Sequence, residues 1–169
     1  MCRYGILPIE NSSAGSVTEV YDLIEQYNCK IVRSLKLKID HCLLALSGVK
    51  LEDVKEVVAH EQALNQCSEF LKSSGVKFTV FSNNAAAAQY VAQSGRTDVA
   101  AIASANCADL YNLRVLSDRV SNSDHNYTRF ICISKTMEIY DGASRITFVA
   151  SASHRPGSLY SLIAKFATR

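Results

Sequence analysis

No stretch of this chain approaches the ~20 consecutive apolar residues that a bilayer-spanning helix needs. The opening Met1-Cys2-Arg3-Tyr4 lacks the apolar core of a signal peptide. No basic block is present either: the net charge of +2 is dispersed, which gives no support to nucleic-acid or membrane-surface binding. Cys-x-x-Cys pairs are missing. Cys2, Cys29, Cys42, Cys67, Cys107 and Cys132 are scattered in a pattern that suits neither a zinc site nor a disulfide framework. They read as reduced thiols packed in cores, and the expected location is cytoplasmic. There is no internal repeat and no low-complexity segment.

What is present is ordinary globular material, 48% apolar and 20% charged. A chain of 169 residues can hold one sizeable core, or one domain and part of another. Strand and helix patterns alternate along it. Tyr4 to Ile9 reads as a short buried strand, and Val17, Val20, Tyr21, Ile24 and Tyr27 recur at helical spacing. Leu35, Leu37 and Ile39 alternate with lysines at strand period, and Cys42 to Leu46 continues as a buried strand. Val57 to Ala59 predicts a strand, and Gln62 to Lys72 one helix with Leu64, Cys67, Phe70 and Leu71 inward, capped by Gly75. Val76 to Phe81, Val99 to Ala103 and Arg129 to Ser134 predict strands; Ala85 to Gln93 and Ala105 to Tyr111 predict helices. The alternation argues for an α/β fold with a mostly parallel sheet. Residues 135–144 read as a linker. Beyond it, Arg145 to Ala152 predicts a strand, His154 to Gly157 a turn, and Pro156 the first turn of a helix with Leu159, Leu162, Ile163 and Phe166 inward.

Three polar clusters carry candidate chemistry. Pro8-Ile9-Glu10-Asn11-Ser12-Ser13-Ala14-Gly15-Ser16-Val17 ends a strand and leads into a helix. Free N–H groups at a helix start, with Ser and Asn donors, suit an anion; the same residues also suit a plain cap by Ser13 or Ser16. Asn126-Tyr127-Thr128-Arg129-Phe130 precedes an apolar strand, where open α/β sheets place ligands. An arginine there can clamp a carboxylate, or simply stand in solvent at the strand edge. His60-Glu61-Gln62 to Cys67 has no second histidine at helical spacing, so no metal site is expected. His41 and His125 are isolated and read as surface or satisfied structural residues.

Taken together, residues 8–17, His60 to Cys67, Ala100-Ala101-Ile102-Ala103-Ser104 and Asn126 to Phe130 closely resemble the prephenate dehydratase family in order and approximate spacing. The likeness covers about residues 4–134, with Thr128-Arg129-Phe130 as its marker. Residues 145–169 are similar to the first strand and helix of an ACT regulatory domain, and Arg155-Pro156-Gly157-Ser158-Leu159 to its effector turn. Two positions depart from the family pattern: Ala59-His60-Glu61-Gln62 stands where Ser-His-Pro-Gln is usual, and Asn84 where a threonine is usual. Asn84 can still cap its helix.

The resemblance implies a two-lobed, periplasmic-binding-protein-like α/β dehydratase domain over residues 1–136, incomplete at its first lobe. A linker over 137–144 and the start of an α+β ACT domain over 145–169 would follow. It implies a carbon–oxygen lyase that converts prephenate to phenylpyruvate on the route to L-phenylalanine. Thr128 would be the catalytic donor at the departing hydroxyl. Asn11, Ser12, Ser13, Gln66, Arg129 and Phe130 would bind substrate, Arg129 as carboxylate clamp or as organiser of the motif. Glu10, Gly15 and Asn84 would support them. His154, Arg155, Pro156, Gly157, Ser158 and Leu159 would form part of a phenylalanine effector site. No metal or organic cofactor is implied, and the intact protein would be a dimer or tetramer. The family's glycine–serine loop and the rest of its ACT domain are not in the chain, so little activity is expected of it alone. Arogenate dehydratase and a non-catalytic amino-acid-binding module are the competing readings. If the two main motifs serve one cleft, Asn11 and Thr128 must lie side by side.

Overall fold

The computed structural model describes residues 2–147 and 150–167. In chain order the elements are β1 (Tyr4–Asn11), β2 (Gly15–Ser16), α1 (Thr18–Gln26), β3 (Lys30–Lys38), β4 (Cys42–Ala45), a 3-10 turn (Leu51–Asp53), β5 (Glu56–His60), α2 (Glu61–Gln66), α3 (Ser68–Ser74), β6 (Lys77–Phe81), α4 (Asn84–Ser94), β7 (Val99–Ala103), α5 (Ala105–Tyr111), β8 (Arg114–Ser117), β9 (Tyr127–Ser134) and α6 (Ser158–Ala167). The helices and strands expected over 99–103 and 105–111 match β7 and α5 in extent.

The strands form two sheets rather than the mostly parallel one predicted. A four-stranded sheet, ordered β2-β1-β9-β3, is antiparallel throughout. A five-stranded sheet, ordered β6-β5-β7-β4-β8, is parallel across β6-β5-β7 and antiparallel on both sides of β4. Local pattern marks a strand but not its direction, which is set by the partners it meets.

The five-stranded sheet buries both faces of its central strands, while its edge strand β6 is largely exposed. On one, Leu43, Val57, Ala59, Ala100 and Ile102 pack against Ala63, Leu64, Cys67 and Leu71 of the α2–α3 region. On the other, Leu44, Val58, Val99, Ala101 and Ala103 pack against Ala87, Ala88 and Val91 of α4 and Ala108 of α5. Continuous apolar runs such as Val99–Ala103 are the signature of strands covered on both sides. Among the cysteines, Cys42 and Cys67 are buried here, and burial pushes the Cys67 thiol up to about 12. Cys2 is exposed, contrary to the expectation that all six lie in cores.

The four-stranded sheet buries one face, where Ile9 and Ile131 meet Val20 and Ile24 of α1. Its other face carries Ile6, Leu35 and Leu37, which are 72%, 61% and 48% exposed. Pro8 lies in β1 beyond the two-residue β2 and beside the register shift against β9, an irregular position of the kind that tolerates a missing ladder N–H. The edge strand β3 carries Lys30, Arg33, Lys36 and Lys38, charges that discourage edge-to-edge pairing.

Two predicted elements take a different form. The single helix expected over 62–72 is broken at Cys67 into α2 and α3. The cause is distant in sequence: Asn122 donates from its backbone to the Gln66 carbonyl (2.7 Å) and from Nδ2 to the Asn65 carbonyl (3.3 Å), while its Oδ1 accepts from Glu69 N–H (3.0 Å). One asparagine thus satisfies groups that an unbroken helix would have paired internally. The strand expected over 145–152 is not formed at 145–147 or 150–152; Phe148 and Val149 lie outside the described residues. The turn at 154–157 is present, but α6 begins at Ser158, after Pro156 rather than around it. Leu159, Ile163 and Phe166 are exposed instead of inward.

Candidate active site

Two passages connect the sheets: residues 39–41 between β3 and β4, and residues 118–126 between β8 and β9. They lie side by side, joined by the bond from Ile39 N–H to the Asn126 carbonyl at 2.8 Å. The candidate site is built at this junction.

β1 and β9 pair in register, with Asn11 opposite Thr128. The expectation that these two meet is fulfilled: Asn11 Nδ2 donates to Thr128 Oγ1 at 2.9 Å. The same nitrogen donates to Asn126 Oδ1 at 3.0 Å and, more weakly, to the Tyr127 carbonyl at 3.3 Å. Asn11 Oδ1 accepts from the backbone N–H of Ser13 (3.0 Å) and Ala14 (2.9 Å). Residues 11–16 are therefore an asparagine-closed hairpin turn, with Gly15 at φ +86°. They are not the helix start inferred from sequence. Helix α1 begins at Thr18 after Val17, and neither Ser13 nor Ser16 caps it. Ser12 fastens the turn to the second passage: its hydroxyl donates to the His125 carbonyl (2.8 Å) and accepts from Tyr127 N–H (2.9 Å).

The contacts continue into the other sheet's helices. Gln66 Oε1, at the end of α2, lies 3.0 Å from Asn126 Nδ2 and 2.8 Å from His41 Nε2. Asn126 and His41 are 4% and 5% exposed. Buried polar groups need partners, and these two supply one another's through Gln66. His41 is thus a satisfied structural residue, one of the two readings its sequence context allowed, and Asn126, the first residue of the 126–130 cluster, is a buried member of the site. Their partners lie 25 to 115 residues away along the chain, so no local pattern shows that they meet.

Above this network opens a pocket of about 410 Å³, lined by Ser13, Ala14, Gln62, Asn65, Gln66, Ser121, Asn122, Ser123 and Asn126. That volume lies within the usual small-molecule range of ~300–1,000 Å³. The lining is all amide and hydroxyl apart from Ala14, with no charged side chain. Thr128 is not in the lining but is joined to it through Asn11.

The remaining sequence candidates are dispersed. Successive strand residues point to opposite faces, so Arg129 faces away from Thr128, toward the α1 side. Its guanidinium stands 3.6 Å from Glu10. A partly exposed pair of this kind is worth only ~0–1 kcal/mol, so it organises the strand pair more than it stabilises the fold. Phe130 sits in register with Pro8 and Leu35, away from the pocket lining. Asn84 does not cap α4; Asn83 does, accepting from Ala86 N–H at 2.7 Å. Asn84 Oδ1 instead accepts from His60 N–H at 2.9 Å, tying α4 to the end of β5. His60 caps α2, its Nδ1 accepting from Gln62 N–H at 3.3 Å. Among the described residues, no three of His, Cys, Asp and Glu converge as metal ligands, and no helix is long and apolar enough to cross a membrane.

Known proteins resemble this chain in sequence and fold. A family model described as prephenate dehydratase matches residues 1–138. Arogenate dehydratase/prephenate dehydratase 1, chloroplastic, of Arabidopsis thaliana is 39% identical over 166 residues, covering 97% of this chain and 42% of that protein. The chain spans about two fifths of the length of the curated relatives it matches. The solved prephenate dehydratase of Arthrobacter aurescens, in complex with L-Phe, aligns with a TM-score of 0.78 at 27% identity, over 99% of this chain and 58% of that one. The prephenate dehydratase of Staphylococcus aureus subsp. aureus Mu50 aligns with a TM-score of 0.84 at 24% identity, over 97% of this chain and 61% of that one, a likeness of fold. On the matched residues 1–138 and the identity to the Arabidopsis protein, the chain belongs to the prephenate dehydratase family.

Proposed function

We propose that the protein is a decarboxylating dehydratase acting on prephenate, with Thr128 as the hydrogen-bond donor at the departing hydroxyl. One observation carries the assignment. Asn11 must accept through Oδ1, because Ser13 and Ala14 present backbone N–H donors to it. Its Nδ2 must therefore donate, so the Thr128 oxygen is an acceptor in that bond. The Thr128 hydroxyl hydrogen is left to point elsewhere, which is what a donor to a leaving oxygen requires.

The reaction breaks the bond between the ring and its carboxylate. That electron pair enters the ring, the ring becomes aromatic, and hydroxide leaves from the opposite carbon. Carbon dioxide and phenylpyruvate result, and the hydroxide takes a proton from solvent to become water. Aromatisation drives the reaction, so the protein's part is positioning and assistance to the leaving group. A neutral threonine is a weak acid and acts as an oriented donor. Ser13, Gln66 and their amide and hydroxyl neighbours would hold the carboxylates, with Asn11 and Ser12 keeping the turn in place. Arg129, paired with Glu10 on the opposite face, would organise the motif rather than clamp substrate.

Residues 154–159 would form part of a phenylalanine effector site. The turn is closed by Ser158 N–H to the Arg155 carbonyl at 3.2 Å and by the Ser153–Ser158 hydroxyl contact at 2.9 Å. The L-Phe complex of the Arthrobacter aurescens relative supports that reading.

Arogenate is the second reading, favoured by the double name of the Arabidopsis relative. Separate incubation with each substrate decides between them, since prephenate yields phenylpyruvate and arogenate yields phenylalanine. Faster formation of phenylpyruvate is expected. With a full-length version as the enzyme, phenylalanine as the dominant product would transfer the assignment to arogenate, and neither product would end the dehydratase reading.

A further inference from the structure

We infer that His41 is a positioning residue: with Asn126 it locks the Gln66 side chain so that both Nε2 hydrogens face the pocket. The argument follows the direction of donation through four side chains. Backbone N–H groups of Ser13 and Ala14 can only donate, so they fix Asn11 Oδ1 toward them. Asn11 Nδ2 then donates to Asn126, whose near atom must be Oδ1, at 3.0 Å. The far side of Asn126 is Nδ2, and it donates to Gln66, whose near atom must be Oε1, at 3.0 Å. An Oε1 that already accepts one bond presents only an acceptor to His41, 2.8 Å away. His41 must therefore carry its proton on Nε2.

Each amide can turn over at little cost in shape. Here the backbone of the 11–14 turn sets the orientation of every group down to the histidine. With Oε1 held on two sides, the Gln66 Nε2 pair is turned away from both partners. Gln66 lines the pocket, so those two hydrogens become fixed donors to a carboxylate or keto oxygen there. His41 and Asn126 lie in the two passages between the sheets, and Gln66 on a helix of the five-stranded body. The same bonds hold the passages against α2. This inference deepens the dehydratase reading by assigning a residue that acts through Gln66 without touching substrate.

The test has two parts. In ¹⁵N-labelled protein, at a pH where the ring is neutral, two-bond ¹H–¹⁵N correlation shows which nitrogen of His41 bears the proton. Nε2–H is expected, and Nδ1–H with a bare Nε2 would overturn the assignment. Kinetically, His41→Leu removes one donor from Gln66. One net hydrogen bond is worth ~0.5–1.5 kcal/mol, so KM should rise roughly threefold to tenfold with kcat little changed. His41→Gln, whose amide can reach the same acceptor, should restore most of the KM. An unchanged KM in a folded His41→Leu protein, or a His41→Gln no better than His41→Leu, would refute the role. If a full-length wild type turns over neither prephenate nor arogenate, the dehydratase reading fails. The tautomer still decides the inference, together with slower exchange of the Gln66 amide protons in wild type than in His41→Leu; equal exchange in the two would overturn it.

Discussion

The two sheets of this protein are built to different standards of burial. The central strands of the five-stranded sheet are covered on both faces: all residues of β4 and β7 are buried, while the edge strands β6 and β8 expose Phe78, Val80 and Val115. The four-stranded sheet is covered by α1 on one face and presents Ile6, Leu35 and Leu37 to the outside on the other. Yet the turn and strand end that carry Asn11 and Thr128 belong to the second sheet. The lesson is that the site takes rigidity from a neighbour. Its polar side chains are anchored through Asn126, Gln66 and His41 to the well-packed body, so the open face of their own sheet need not hold them.

That contrast can be broken by mutation. The largest expected effect is Leu44→Ala in the doubly covered sheet, where a fully buried leucine should cost about 2–5 kcal/mol in urea unfolding. Asn122→Ala comes next. It strips the α2–α3 break of its external partners, and about 1–2 kcal/mol should be lost. A loss near zero would mean that the break persists without Asn122. Leu35→Ser on the open face should change stability by no more than ~0.5 kcal/mol; a loss rivalling that of Leu44→Ala would show that the face is buried in solution.

The smallest effect is electrostatic, with one carboxylate in each body. The Thr79 hydroxyl, followed by Arg96, holds Glu56 below its ordinary 4.5. Tyr140, followed by Tyr4 and Arg3, does the same for Glu138. A depressed folded pKa means that the unfolded chain binds the proton more readily in acid. The stabilisation is therefore present above 4.5 and lost as pH falls through the lower folded value. Glu56→Gln and Glu138→Gln should each flatten the acid limb of a stability-against-pH curve without steepening it.

Much of the fold was legible locally. Helical spacing at Val20 and Ile24 marks the buried stripe of α1, and the apolar run Val99–Ala103 marks a central strand. What failed depended on distant partners. The four-residue β8, Arg114–Ser117, is short and half-exposed and becomes a strand only beside β4. Asn122 breaks a helix more than fifty residues away. The apolar residues at 159–166 keep helical spacing, but no described residue of α6 is buried, so the pattern alone could not say what they would cover. In the site, motif order brought Asn11 to Thr128. Strand alternation, once register was known, turned Arg129 away from them. His41 reads as surface or structural from sequence, and its place in the site has no local signature until its acceptor is seen.

The central claim is that the Thr128 hydroxyl, oriented by Asn11, assists departure of the leaving oxygen. The most direct measurement compares, in a full-length version, single-turnover rates on prephenate for wild type, Thr128→Ala and Thr128→Ser. Removing a positioned donor used mainly in the transition state should slow the alanine variant by roughly 10²-fold or more. The serine variant, which keeps a hydroxyl at the same position, should stay within about tenfold of wild type. An alanine variant as fast as wild type would contradict the claim.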